Sequence, residues 1–176
     1  MNKKILKSKG RWITAFSRLE QVDEDLYELI DNELYRDYDG TLYLAPRGTM
    51  TDNFSRPFGN KQKYDVRPSH IHDIGCRYKQ LIIVDCCLDT LKSAGLLQGR
   101  GDLNNRKIIL EDVPLQMLKI IDVTKFEVDN LFMRMCEAAD MPKWAVALYR
   151  AGVFCNIGWL WSGKEKIQKE NIYLML

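Results

Sequence analysis

Thr124-Lys125-Phe126-Glu127 is the tightest constraint on how this chain folds. A threonine three residues before a glutamate makes a capping box, in which each side chain satisfies a backbone N–H that the first helical turn leaves open. Behind it, Val128, Leu131, Phe132, Met135, Cys136 and Ala139 supply an apolar stripe at helical spacing. The helix is expected to run to about Ala139, where Asp140-Met141-Pro142 breaks the chain and restarts it with proline in a first turn. Another long helix is expected from Lys143 to Trp161, apolar apart from Arg150 and Asn156 and rich in aromatics. Its composition reads first as a core helix, and second as an interfacial membrane surface or partner groove.

Upstream, Pro68-Ser69 is a plausible helix entry with Ser69 as the capping oxygen. Ile71, Ile74, Tyr78, Leu81 or Ile82, Leu88 and Leu91 recur at roughly helical spacing, predicting a helix from about residue 70 to 97. The apolar run Leu81-Ile82-Ile83-Val84 would be buried on more than one side of it. Earlier still, short tyrosine-rich apolar runs from Leu26 to Leu44 are punctuated by Asp37-Tyr38-Asp39-Gly40, as two or three antiparallel strands with a hairpin turn would be.

Residues 11–23 give little periodic signal and read as an extended or weakly helical lead-in. The proline- and glycine-bearing stretch 45–60 is loop material. It could supply backbone carbonyls and Asp52 to a hard cation, or serve as an ordinary connection. Between the helices, Lys107-Ile108-Ile109-Leu110 could form a short strand, and Pro114 to Ile121 a helical turn or two. The expected architecture is α+β in one domain over 1–176. A lead-in (1–25) precedes small antiparallel strands and a loop (26–66), a predominantly helical core of about three long helices (67–161) and a tail (162–176).

With 46% apolar residues in a chain of 176, a substantial core is within reach. The 26 basic and 24 acidic residues nearly balance, which gives no strong signal for nucleic-acid binding. Lys3, Lys4, Lys7, Lys9 and Arg11 read as a solvated terminus. Five cysteines without a C-x-x-C pair, and no signal-peptide core, predict reduced thiols in a cytosol. No run of about 20 uninterrupted apolar residues exists, so no transmembrane segment is expected.

Both histidines, His70 and His72, fall at the start of the first expected helix, with Asp73 directly after. Two positions apart on a helix they point to different sides and could not hold one metal ion together. Histidine-based acid/base chemistry would therefore use one of them, and a third group must orient its ring. Asp129 is the best candidate, because a carboxylate among apolar neighbours needs a partner. The competing reading leaves Asp129 in a first helical turn, stabilised by the helix dipole or solvent.

Leu42 to Gly48, Thr51-Asp52-Asn53-Phe54-Ser55-Arg56-Pro57, His72-Asp73 and Val128-Asp129-Asn130-Leu131-Phe132 resemble a family of small phage and prophage proteins. That family carries a T-D-x-x-S-x-P loop, an H-D doublet and a later A-D-x-x-F element. The likeness spans roughly residues 26–161 and implies a phage setting, in the host bacterial cytoplasm or with the virion. It brings no activity with it, since the family is a domain of unknown function.

Pro57-Phe58-Gly59 and His72-Asp73-Ile74-Gly75 are in turn similar to the P-F-G loop and H-D-F-G-Y-R helix of bacterial and fungal secreted calcium-dependent phospholipases. That resemblance implies His72 as the base that activates water, Asp129 as its orienting carboxylate, and Asp73 as a calcium ligand beside loop carbonyls. Calcium would stabilise the developing oxyanion. The chain departs from the pattern at Cys76, where those enzymes have a tyrosine, and in its longer segment between helices. Metal-dependent phosphohydrolases with an H-D doublet need a further histidine upstream, and none precedes His70. The leading expectation is thus calcium-dependent ester or lipid hydrolysis. The rival is a non-catalytic virion component or a binder of a bacterial host protein.

Overall fold

The computed structural model describes residues 9–52, 65–98, 107–108, 115–155, 166–169 and 171–172. Its first half is built of short strands: β1 (Arg11–Trp12), β2 (Leu19–Asp23), β3 (Leu26–Leu29), β4 (Glu33–Arg36), β5 (Leu42–Ala45) and β6 (Met50–Thr51). Helix α1 (Arg67–Tyr78) follows, then β7 (Gln80–Val84), α2 (Leu88–Ser93), β8 (Leu97–Gln98) and β9 (Lys107–Ile108). The chain continues through a 3-10 turn (Leu115–Met117) to β10 (Leu118–Asp122), α3 (Lys125–Ala138) and α4 (Lys143–Cys155). The α+β class holds, with three long helices and one short one among the described residues.

An antiparallel sheet in the order β1-β4-β5-β7-β10 runs through the centre. Strands β2, β3 and β6 form a second sheet, and β8 pairs with β9. The hairpin expected at Asp37–Gly40 joins β4 to β5. Gly40 takes a φ of 91°, a conformation that side-chain-bearing residues rarely adopt, and its N–H donates to the Asp37 carbonyl.

The continuous helix expected from about 70 to 97 gives way to helix, strand and helix. Lys79 ends α1 in the left-handed region at φ 54°, with its N–H on the Gly75 carbonyl. Leu81-Ile82-Ile83-Val84 then extends as β7, held between β5 and β10. A short β-branched run buried on both faces suits a central strand as well as a helix, and periodicity alone does not separate the two. Leu118 to Asp122 is likewise a strand, preceded by a single 3-10 turn, where a helical turn or two was expected. The start of α1 also differs. It begins at Arg67 after Val66, and Ser69 lies inside the helix with its hydroxyl donating to the Val66 carbonyl at 2.7 Å.

Alternation along the central strands gives the sheet two apolar faces. Leu34, Leu42, Leu44, Ile82, Val84 and Leu118 cover one, against α2 and Ile172. Tyr35 and Leu81 line the other, where α1 and α3 pack with Trp12, Ile71, Ile74, Val128, Leu131 and Phe132. The capping box forms as expected: Thr124 Oγ1 accepts the Glu127 N–H and Glu127 Oε2 accepts the Thr124 N–H. Helix α4 leans on α3. Its expected extension to Trp161 lies outside the described residues beyond Cys155. No helix among the described residues is long and apolar enough to cross a membrane.

Candidate functional site

Where α1 crosses α3, the approach is set by a glycine. A Cβ on Gly75 would stand 2.8 and 2.9 Å from the two Val128 methyl carbons, closer than carbon atoms pack. The missing side chain lets the two helices meet, and one turn earlier on α1 the His72 ring reaches across. Its Nε2 lies 3.0 Å from Asp129 Oδ1. Asp129 is 1% exposed and the His72 side chain 10%, so the pair is desolvated while the imidazole keeps some open surface.

The other Asp129 oxygen accepts from Lys125 Nζ, one turn back on α3. Lys125 also donates to the Val153 carbonyl of α4 at 3.1 Å. A lysine whose aliphatic stem is partly covered and whose head reaches a buried carboxylate fixes that carboxylate's direction. Phe132, one turn after Asp129, packs against the His72 ring with centroids 4.4 Å apart.

Cys76 Sγ lies 3.4 Å from His72 Nδ1 and 3.7 Å from Nε2. Nearly equal distances to nitrogens on opposite sides of Cε1 place the sulfur over the ring face. An in-plane hydrogen bond to either nitrogen would leave the other much farther away. Burial, and then the charges of Asp73 and Asp129, push the thiol far above its usual range. Cys76 therefore stays a neutral packing group and not an activated nucleophile.

His70 faces the other way. Its Nδ1 is 2.6 Å from Glu33 Oε2, with both side chains fully buried, and the second Glu33 oxygen accepts the Ser17 N–H at 2.7 Å. The two histidines point to different sides of α1, as their spacing predicts. Glu33 as the partner of His70, and Lys125 as the second partner of Asp129, were not anticipated. Lys125 and Asp129 stand at i and i+4, a spacing that could have signalled the pair. Nothing local marks Glu33 beyond its place in an apolar strand.

Asp73 is half-buried and accepts a hydrogen bond from Thr51 Oγ1 at 2.7 Å. Burial, followed by the neighbouring Asp52 charge, pushes its carboxyl up to about 6, against the pull of the Thr51 hydroxyl. Asp52 and Asp73 thus lie near one another, and His72 is close enough to act on the Asp73 carboxyl as well. Asp73 also borders a cavity of about 370 Å³ with Pro46, Met50, Arg77, Tyr78 and Lys166.

Two carboxylates and a hydroxyl are hard oxygen donors of the kind calcium takes, and their mutual repulsion is what a cation relieves. Calcium uses about 6–8 oxygens. Among the described residues no group of three or more histidine, cysteine, aspartate or glutamate side chains converges as a metal site. The donor set suits calcium in kind and falls short of it in number. Residues 53–60, which carry the rest of the T-D-x-x-S-x-P and P-F-G elements, lie outside the described residues.

Comparisons with protein-family models, with curated proteins and with solved structures find no match to this chain.

Proposed function

We propose that this chain is a hydrolase of carboxylic esters, lipids among them, with His72 as the general base and Asp129 as its orienting carboxylate. The observation that carries the reading is the buried 3.0 Å contact between His72 Nε2 and Asp129 Oδ1. A carboxylate on Nε2 selects the tautomer with the proton on that nitrogen, which leaves Nδ1 as the basic one. Nδ1 would take a proton from the water attacking the ester carbonyl. Asp129, anchored by Lys125, would hold the ring in place and stabilise the imidazolium that forms.

Asp73 and Asp52 are the residues that would hold calcium in this reading. The ion would supply positive charge beside the developing oxyanion. A phage or prophage origin, acting in the bacterial host cytoplasm or with the virion, is the setting that the sequence resemblance implies and stands as part of the proposal.

The test is hydrolysis of phospholipid in mixed micelles and of soluble aryl esters, with calcium and with chelator. The wild-type chain should turn over ester, and His72→Ala should abolish turnover. Calcium-dependent hydrolysis that survives His72→Ala would sink the proposal.

A second reading is favoured by one feature. Phe126 is 71% exposed and Trp144 64%, so large aromatic surface is presented outside the dyad. A non-catalytic virion component, or a binder of a host protein, would use such a surface. It would keep its function in His72→Ala and lose it when the exposed aromatics are truncated.

A further inference from the structure

Helix α4 carries apolar residues on its outer side as well as its inner one. Its sequence, Lys-Trp-Ala-Val-Ala-Leu-Tyr-Arg-Ala-Gly-Val-Phe-Cys, holds two cations and no carboxylate. Ala145, Val146, Tyr149 and Val153 form the inner face, packed into the core with α3. The outer face is largely apolar too, apart from Lys143 and Arg150. Trp144 is 64% exposed, Phe154 40% and Leu148 37%, and Ala147, Ala151 and Gly152 between them are exposed as well. A helix in an ordinary solvated position would carry mostly polar and charged residues there, and an apolar surface of this breadth is usually covered.

Lys143 and Arg150 are two turns apart and so lie on one stripe, with Ala147 between them and Phe154 after them. The Arg150 guanidinium sits over the Phe154 ring at 6.0 Å. The nearest carboxylate in the chain before α4 is Asp140, in the preceding turn, and it faces Lys9 at 3.7 Å. The bond from Lys125 to the Val153 carbonyl sets the start of α3 beside the end of α4.

We infer that the outer face of α4 is a docking surface for an anionic lipid bilayer, laid flat at the headgroup level. The charge pattern selects the occupant. An exposed tryptophan, aliphatic and aromatic neighbours and flanking cations without carboxylates match the interfacial side of an amphipathic helix. A second copy of the chain would set Lys143 and Arg150 against their own counterparts, with no acidic group on α4 to answer them. The inference does not rest on the hydrolase reading. A chain that binds bilayers but cleaves nothing would keep this proposal and lose that one.

The experiment is co-sedimentation of the full chain with vesicles of ether-linked phosphatidylcholine, alone or mixed with ether-linked phosphatidylglycerol, in chelator at low ionic strength. Ether lipids carry no carboxylic ester, so binding is read apart from hydrolysis. The wild-type chain should sediment with the mixed vesicles and poorly with phosphatidylcholine alone. Lys143→Glu with Arg150→Glu, and separately Trp144→Ser with Phe154→Ser, should each weaken binding on the order of tenfold or more. All four side chains are on the surface, and unchanged thermal melts would show that folding is intact. If the serine pair fails to fold, Leu148→Glu takes its place. Equal binding to both vesicle types, binding to neither, or full binding by the variants overturns the proposal. So does a dimer in analytical ultracentrifugation that the same variants dissociate, which would make the face an interface between copies.

Discussion

His72 on α1 meets Asp129 on α3 across 57 residues of sequence, with Nε2 and Oδ1 3.0 Å apart in a water-poor setting. Lys125 holds the far side of that carboxylate. Replacing Asp129 therefore strands two partners at once. Asp129→Asn keeps the shape but offers an amide for a carboxylate, so the ring loses both its tautomer preference and its charge stabilisation. The expected result is a fall in the rate of ester hydrolysis of about 10²–10⁴-fold. Chemical denaturation should show a stability loss of about 1–3 kcal/mol. Equal rates for Asp129→Asn and the parent would remove Asp129 from the mechanism.

The glycine at position 75 is where that contact can be loosened without touching either partner. Gly75→Ala improves helix propensity by about 1 kcal/mol. It also drives a methyl group into Val128, with Leu81 3.2 Å away, at a crossing that has no spare room. Overpacking of this kind costs about 1–3 kcal/mol, so the net change should be destabilising. The shift of α3 away from α1 should lengthen the His72–Asp129 contact and lower the rate beyond what the stability loss accounts for. Val128→Ala in the same chain should restore part of both, as a double-mutant cycle on stability and rate would show.

How much of this was legible before the structure follows from the range of each signal. The hairpin at Asp37–Gly40 and the capping box at Thr124 are local, and each formed where the residues place it. The Gln80–Val84 strand was hidden because Leu81-Ile82-Ile83-Val84 continues a helical apolar spacing. The break that separates it from α1 rests on Lys79, a residue with no turn preference, in a left-handed conformation. The β-branched pair Ile83-Val84 was the available hint. Asp129 could be suspected because a carboxylate stood among apolar residues. Glu33 could not be matched to His70, since a partner 37 positions away in another element leaves no trace in local spacing.

That Glu33–His70 pair ties the end of the Ile13–Arg18 segment and β4 to α1, with both side chains at 0% exposure. Removing one partner from a fully buried pair leaves the other without compensation. Glu33→Leu should cost about 3–5 kcal/mol, because it orphans both the His70 nitrogen and the Ser17 N–H. Glu33→Gln, whose amide oxygen can still accept the Ser17 N–H while its NH2 donates to an unprotonated His70 Nδ1, should cost distinctly less. Urea unfolding monitored by circular dichroism separates the two. Equal losses would mean that the charge, and not the hydrogen bonding, holds this junction.

The last prediction concerns Asp73 and the sign of its pH dependence. Burial first, and Asp52 second, push this carboxyl up to about 6, whereas in the unfolded chain it sits near the ordinary value of about 3.9. Between those two values the folded state binds more protons than the unfolded one, so this group makes stability fall as pH rises. Its contribution is complete below about 4 and lost above about 6. In chelator, Asp73→Asn should therefore raise the melting temperature at pH 7–8 relative to the parent, with the gain shrinking toward pH 4. Calcium, if it binds there, requires the ionised form. Adding it to the parent should recover stability most strongly above pH 6, and should do nothing for Asp73→Asn. A calcium-induced shift of the same size in both chains would place the ion elsewhere.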